Sequence, residues 1–388
     1  MTPRSGGACV VEALRAHGVT PAWCVPGESY LPVLDALYDV ADDIELVTCR
    51  HESGAAFMAG AEARLTQRPG VVLVTRGPGA ANAAIALHVA RQASVPLVVG
   101  VGQVARANLG RDSFQELDHE TFLRPLAKHV EQVMQADELP AALARAFAIA
   151  ASGRPGPVAL VWPEDVLGEE TAAAPVMPLA VAPPEVNADA LAPLVAALAA
   201  AERPLILAGG GNWSDAACAD LAAFAGANAI PVLTAFRRQD VMDHAHACFG
   251  GYLGLGAHVA AAAFASAADC VLVLGARLDE PTTNAYTLFN DGAARTLVHV
   301  YPAAAEIGRN VPVDHALVAD VRPCARALAA AGRVVSRDLD AWRLRVREAW
   351  CVARQPPASS ARLDLGAVMT TLAERLDDDA IVTSDAGN

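Results

Sequence analysis

A lone carboxylate stands at Glu52 within Arg50-His51-Glu52-Ser53-Gly54-Ala55-Ala56-Phe57-Met58-Ala59. A glycine turn, Gly77-Pro78-Gly79-Ala80-Ala81-Asn82, follows one helix and one strand later. An acid in the first turn of a helix complements the helix dipole whatever else it does. The small residues that follow on one helical face, however, leave room for something bulky and flat against this carboxylate. If its surroundings are apolar enough to raise its proton affinity, such a group can share a proton with a ligand. Both strand ends are expected to open on one edge of a parallel sheet, where open α/β sheets take their ligands.

The elements that must position these groups alternate between helical and extended patterns, which points to parallel α/β sheets. Residues 8–17 read as a helix, 22–25 as a strand ending at Pro26-Gly27, 31–38 as a helix and 44–49 as a strand. An Ala-rich helix over 53–65 follows, then a buried strand over 70–75, a helix over 80–93, and strands over 96–101 and 158–162. The Ala- and Pro-rich stretch 171–184 reads as an extended linker. A second unit then begins: strand 204–208, the turn Gly209-Gly210-Gly211, helix 214–225, and strands over 230–234, 270–274 and 296–300. After Gln355-Pro356-Pro357 come an amphipathic helix (365–376) and a strand (380–384) leading to Asp385-Ala386-Gly387-Asn388. One helix and one strand cannot bury a core, so a third unit is expected to be cut short.

With 388 residues, 54% apolar, the chain can build two or three cored domains. A formal charge of −14 and the absence of any Lys/Arg block argue against nucleic acid as a partner. Eight scattered cysteines without C-x-x-C spacing read as reduced, mostly buried thiols of a cytoplasmic enzyme. The N-terminus lacks the apolar core of a signal peptide, and no run is long enough to span a membrane.

The segment around Glu52 resembles the pyrimidine-binding domain of thiamine diphosphate enzymes of the acetolactate synthase type. The likeness runs on through Gly77-Pro78-Gly79-Ala80-x-Asn82, residues 94–99, Gly102-Gln103-Val104, Phe114-Gln115-Glu116, Arg124-Pro125, Lys128-His129 and Arg154-Pro155-Gly156-Pro157-Val158. It implies that Glu52 hydrogen-bonds N1′ of the aminopyrimidine and favours the imino tautomer that deprotonates the thiazolium C2. It also implies that Pro26, Gly27, Gly77, Pro78, Gly79 and Asn82 surround the cofactor. Glu28 stands where the family's loop has another glycine. Gln115 matches a residue that reaches the active site from a neighbouring subunit, which makes a homodimer or homotetramer the expected assembly. Phe114 matches a position beside the substrate pocket, and Lys128 is a candidate to face an anionic substrate. His51 and His129 have packing or capping as their simpler role.

The resembled synthases bind a structural FAD in their middle domain, with positions matching Gly209, Gly210, Gly211 and Arg277. Two departures argue against flavin here: Pro281 stands where a second arginine is usual, and Tyr301-Pro302 where an aspartate pair is usual. A nicotinamide dinucleotide finds no support either, because the strand over 230–234 ends without an acid for the ribose. No phosphate-binding G-x-x-x-x-G-K-[ST] occurs. His244-x-His246 has no evident third ligand for a metal. The Mg²⁺ that bridges the diphosphate in the family is held by a Gly-Asp-Gly and an asparagine roughly thirty residues later. That motif is missing, and Asn290-Asp291-Gly292 is a decoy. Asp385-Ala386-Gly387-Asn388 resembles the start of the family's third domain, so the Mg²⁺ ligands are expected beyond it.

The expected architecture is therefore two doubly wound parallel-sheet domains plus the start of a third. Their bounds are 1–168 (pyrimidine-binding), 185–335 (central) and 360–388 (beginning of the diphosphate-binding domain). The expected activity is decarboxylation and carboligation of a small 2-oxo acid such as pyruvate, with this chain inactive by itself. The alternatives are another thiamine diphosphate-dependent C–C lyase or hydrolase, and a non-catalytic binding or assembly fragment.

Overall fold

The computed structural model describes residues 2–179, 182–183, 185–356, 360, 362–377 and 379–383. The first unit is a six-stranded, all-parallel sheet of β1 (Pro21–Cys24), β2 (Glu45–Thr48), β3 (Gly70–Val74), β4 (Leu97–Gln103), β5 (His129–Gln132) and β6 (Pro157–Pro163). Their order across the sheet is β2-β1-β3-β4-β6-β5. The central strands β3, β4 and β6 are buried throughout, as continuous apolar runs covered by helices on both faces should be.

Alternate residues feed two cores. Leu73, Val98 and Leu160 face α1 (Gly6–Ala16), α2 (Leu31–Tyr38) and the later helix Leu139–Ala151. Val72, Val99 and Val161 face α3 (Glu52–Thr66) and α4 (Gly77–Ala93), whose contact is almost entirely alanine, which lets the two helices lie close to the sheet. The edge strand β5 is only half-buried, so its apolar signal is faint, and neither it nor the helix after it is among the expected elements. A two-residue antiparallel pairing of Arg4–Ser5 with Glu170–Thr171 closes this unit.

The second sheet is also six-stranded and parallel: β7 (Pro204–Ala208), β8 (Val232–Thr234), β9 (Phe249–Tyr252), β10 (Cys270–Leu274), β11 (Thr296–Tyr301) and β12 (His315–Val318). Its order, β9-β8-β7-β10-β11-β12, is that of a doubly wound dinucleotide fold. Residues 380–383 carry no strand, contrary to the reading of 380–384, and Asp385-Ala386-Gly387-Asn388 lies outside the described residues. The helix Leu365–Arg375 forms as expected but buries none of its residues. Of the cysteines, Cys9, Cys24, Cys248, Cys270 and Cys324 are buried and Cys351 is exposed, all as free thiols.

Candidate active site

The strand order of the first sheet reverses direction between β1 and β3, and such switch points leave a crevice beyond the strands' carboxyl ends. The loop after β1 and the turn after β3 meet there. A side chain at Gly27 would place its Cβ 2.5 Å from Thr75 Cβ, so the close approach requires glycine. Ser29 and Thr75 share a hydrogen bond of 2.9 Å between their hydroxyls, and the Tyr30 hydroxyl donates to the Val25 carbonyl at 2.5 Å. These groups fasten the Pro26-Gly27 loop, and Pro26 itself stays exposed.

Glu52 opens α3. His51 caps that helix, its Nδ1 accepting from the Ser53 N–H at 3.2 Å. Capping accounts for His51 without a catalytic role. Glu52 is 7% exposed, and its Oε2 accepts from Asn82 Nδ2 at 2.9 Å. Oε1 has no hydrogen-bond donor among the described residues and lies 3.5 Å from where a Cβ on Gly79 would be. The carboxylate is thus held by one oxygen and open at the other. Asn82, expected to border the cofactor, is a partner of Glu52.

The loop bearing Phe114 and Gln115 lies across the start of α4. The Gly77 N–H donates to the Gln115 carbonyl at 3.0 Å, and Gln115 sits at a left-handed φ of 62°. The Glu116 carboxylate accepts from the Gly110 and Ser113 N–H groups, and these hold its pKa below the ordinary carboxylate value. Phe114 is 80% exposed. Just beyond the loop, His119 is fully buried with neither ring nitrogen hydrogen-bonded, and burial lowers its pKa to about 4.

Lys128 does not join this group. It precedes β5, at the opposite edge of the sheet, where its ammonium donates to the Ile149 and Ser152 carbonyls at the end of a helix. Burial and then the charge of Arg154 lower its pKa to about 8. It is the only lysine in the chain. His129 pairs with Glu131 on the surface of the same edge strand.

A second crevice opens at the switch point of the other sheet, between β7 and β10. All three glycines of its turn are engaged by protein: a Cβ on Gly209 would lie 2.5 Å from Ala235 Cβ, one on Gly210 1.8 Å from the Gly275 carbonyl oxygen, and one on Gly211 3.2 Å from the Ser94 carbonyl oxygen. Arg277 donates to Glu306 at 3.1 Å and to the Gln92 carbonyl of the first unit at 3.0 Å. Arg154, also from the first unit, reaches Glu306 at 2.9 Å, and Arg309 does so at 3.2 Å. Burial opposes ionisation of Glu306, but Arg154 and Arg277 outweigh it and hold the carboxyl below its usual range.

Between the two units lies a cleft of about 500 Å³, lined by Arg64, Arg237, Arg238, Arg277 and Arg309 together with Asp279 and Glu280. Of these only Arg277 stands among the expected site residues. The Arg237-Arg238 pair was the visible signal for the others. No group of three metal-ligating side chains occurs among the described residues; His244 stacks on Phe249 instead.

A buried carboxylate at the switch point of one parallel sheet, beside a second, doubly wound parallel sheet, defines an α/β protein of two units with a ligand crevice at the strand ends. Residues 4–122 match the family profile "Thiamine pyrophosphate enzyme, N-terminal TPP binding domain", and residues 191–328 match "Thiamine pyrophosphate enzyme, central domain". The chain belongs to the thiamine pyrophosphate enzyme family. Among curated proteins it is 36% identical to the acetolactate synthase large subunit of Parasynechococcus marenigrum, over 82% of this chain and 52% of that protein. It is 33% identical to the acetolactate synthase isozyme 3 large subunit of Escherichia coli, over 99% of this chain and 68% of that one. A probable acetolactate synthase large subunit of Methanocaldococcus jannaschii is 33% identical, over 88% and 59% respectively. The chain therefore spans roughly half to two thirds of the length of these relatives. No helix among the described residues is long and apolar enough to cross a membrane.

Proposed function

We propose that this chain supplies the pyrimidine-side half of a thiamine diphosphate site that decarboxylates a small 2-oxo acid such as pyruvate and transfers the resulting acyl unit to an acceptor. The proposed domains are 1–168 (pyrimidine-binding), 185–335 (central) and 360–388 (start of the diphosphate-binding domain). The observation that carries the reading is Glu52: a buried carboxylate at a sheet switch point with Oε2 fixed by Asn82 and Oε1 lacking a donor. A ring nitrogen that shares a proton is the partner Oε1 lacks. When bound, the thiamine group supplies the acidic carbon and the electron sink that decarboxylation requires.

Glu52 holds a proton at N1′ of the pyrimidine, Asn82 keeps the carboxylate from rotating away, and the Gly79 backbone leaves space for the flat ring. The Pro26-Gly27 loop, fastened through Thr75, forms the opposite wall. Gln115 is the proposed contribution to a second subunit's site in a homodimer or homotetramer, with Phe114 beside the substrate. Mg²⁺ belongs at the diphosphate end, for which the described residues offer no ligand set. The named activity of the relatives favours acetolactate formation among the family's carboligations.

The test is deuterium exchange at C2 of thiamine diphosphate, followed by NMR with Mg²⁺ present, in a protein that carries this chain together with a complete diphosphate-binding domain. Glu52→Gln keeps the shape but not the proton equilibrium, and exchange should slow by roughly 10²-fold or more. Exchange as fast as wild type would remove Glu52 from the mechanism. Product analysis with pyruvate then separates acetolactate formation from other lyase or hydrolase chemistry.

A further inference from the structure

A separate cavity opens at the amino ends of β1 and β3, the edge of the first sheet away from Glu52. It holds about 280 Å³, close to the lower limit of small-molecule sites. Residues that close α1, lead into β1 and form the last turns of α3 line it. Glu62, in its wall, follows Glu52 along α3 by roughly 15 Å, so the two sites do not overlap.

The polar groups of this cavity divide into acceptors and donors. Trp23 Nε1 donates to Glu62 Oε2 at 3.0 Å, which fixes the carboxylate and leaves Oε1 without a donor among the described residues. His17 Nδ1 lies 2.8 Å from the Ala13 carbonyl, and the ring stacks on Phe147 with centroids 4.1 Å apart. A carbonyl accepts only from an N–H, so the proton is on Nδ1. Burial lowers the pKa of His17, which keeps the ring neutral near pH 7 and makes Nε2 an acceptor. On the donor side stand the Thr20 hydroxyl and Arg68, which has no carboxylate partner among the described residues. Arg68 Nη1 would lie 3.2 Å from a Cβ on Gly18, whose φ of 69° ends α1, so the bare turn lets the guanidinium lie against it.

The lining thus carries one positive and one negative side chain that are not paired with each other. A simple anion would meet Arg68 but face Glu62; a simple cation would meet Glu62 but face Arg68. We infer that the cavity binds a small zwitterion, a free α-amino acid, with its carboxylate on Arg68 and Thr20, its ammonium on Glu62 Oε1 and His17 Nε2, and its side chain beside Phe147. Both contacts are charge-assisted, the stronger kind of hydrogen bond. A peptide terminus carries only one of the two charges and a 2-oxo acid only the carboxylate, so neither matches the lining.

The experiment is NMR titration of the ¹⁵N-labelled 388-residue protein with L-alanine and L-leucine, and with acetate and ethylamine as the separate halves, at constant ionic strength. The chain has five tryptophans, so the indole N–H signals are few, and Trp23→Phe identifies the one that reports on Glu62. Saturable shifts of the Trp23 signal are expected with both amino acids, with a Kd of about 1 mM, and affinities about tenfold weaker or more for acetate and ethylamine. L-leucine should bind at least as tightly as L-alanine, because its side chain covers more of Phe147. Arg68→Gln and Glu62→Gln should each weaken amino-acid binding by about tenfold. Arg68 is exposed and glutamine at 62 still accepts from Trp23, so both variants keep the fold. Glu52→Gln should bind like wild type, which makes the result independent of the thiamine site. Acetate binding as tightly as L-alanine, no saturation at tens of millimolar, an unmoved Trp23 signal at saturation, or either Arg68→Gln or Glu62→Gln binding like wild type would overturn the inference.

Discussion

Two glycine turns, each at the carboxyl end of a parallel strand and each opening toward a helix, are used in opposite ways. At Gly77-Pro78-Gly79 the missing side chain leaves space beside a buried carboxylate, with Glu52 Oε1 only 3.5 Å from the absent Cβ. At Gly209-Gly210-Gly211 the space is already filled by the protein's own backbone and by Ser94 of the other unit. At Gly79 the first turn leaves open space beside the Glu52 carboxylate, whereas all three glycines of the second bring loops and domains into contact. A glycine cluster after a strand therefore identifies a close approach without saying what approaches.

Alanine substitutions break the comparison most sharply. At Gly210, Cβ would overlap the Gly275 carbonyl at 1.8 Å in a backbone with φ 77°, so Gly210→Ala should destabilise the protein by about 4 kcal/mol. Gly79→Ala meets Thr75 Cγ2 at 3.0 Å, a contact that a small shift relieves, and should cost about 1 kcal/mol. Denaturant unfolding of both variants measures the difference. Equal losses would mean that the two turns do the same structural job.

The regions also differ in how they respond to acid. His119, beside the first site, is buried and neutral with a pKa lowered to about 4, so below the ordinary histidine value the unfolded chain binds a proton that the native state refuses. Its contribution is present above about pH 6.5 and is lost as pH falls toward about 4, a change of about 3 kcal/mol at most. Glu306, at the interdomain hub, has its pKa lowered by Arg154 and Arg277 against the effect of burial, so its contribution is lost only at still lower pH, below the usual glutamate range. Melting temperatures from pH 7 to 4.5 should fall for wild type and fall less for His119→Leu. A His119→Leu profile parallel to wild type would show that the imidazole is not what responds.

An effect on stability as small as that of Gly79→Ala is expected at Asn82. Its amide makes one hydrogen bond to Glu52 from an exposed position, so Asn82→Ala should cost about 1 kcal/mol of stability. A larger loss of C2 exchange than of stability would sharpen its role as the residue that holds the carboxylate in place. Proportionate losses would reduce it to a helix-surface contact.

Much of the fold was legible along the chain. The buried runs at 70–75, 96–101, 158–162, 204–208 and 270–274 announce parallel strands because strands covered on both faces need no polar alternation. Less legible was β5, whose half-buried residues mix polar and apolar side chains at a sheet edge. Lys128 lies at the far edge of the sheet, where its ammonium donates to the Ile149 and Ser152 carbonyls: adjacency to a family motif does not say at which end of a strand a side chain emerges. The arginine cleft was hidden differently, since its members come from positions as far apart as Arg64 and Arg309.

By itself the sequence determined the fully buried strands, the alternation of helices with them in the first unit, the placement of Glu52 in a first helical turn and the need for glycine at each turn. Periodicity and backbone sterics act over a few residues and can be read there. Only the tertiary structure decided that Asn82 grips Glu52, that the Gly210 turn is occupied by protein, that Lys128 faces away, and that five arginines converge between two units. These depend on strand order and on the docking of two sheets, and contacts across such distances leave no periodic trace in the chain.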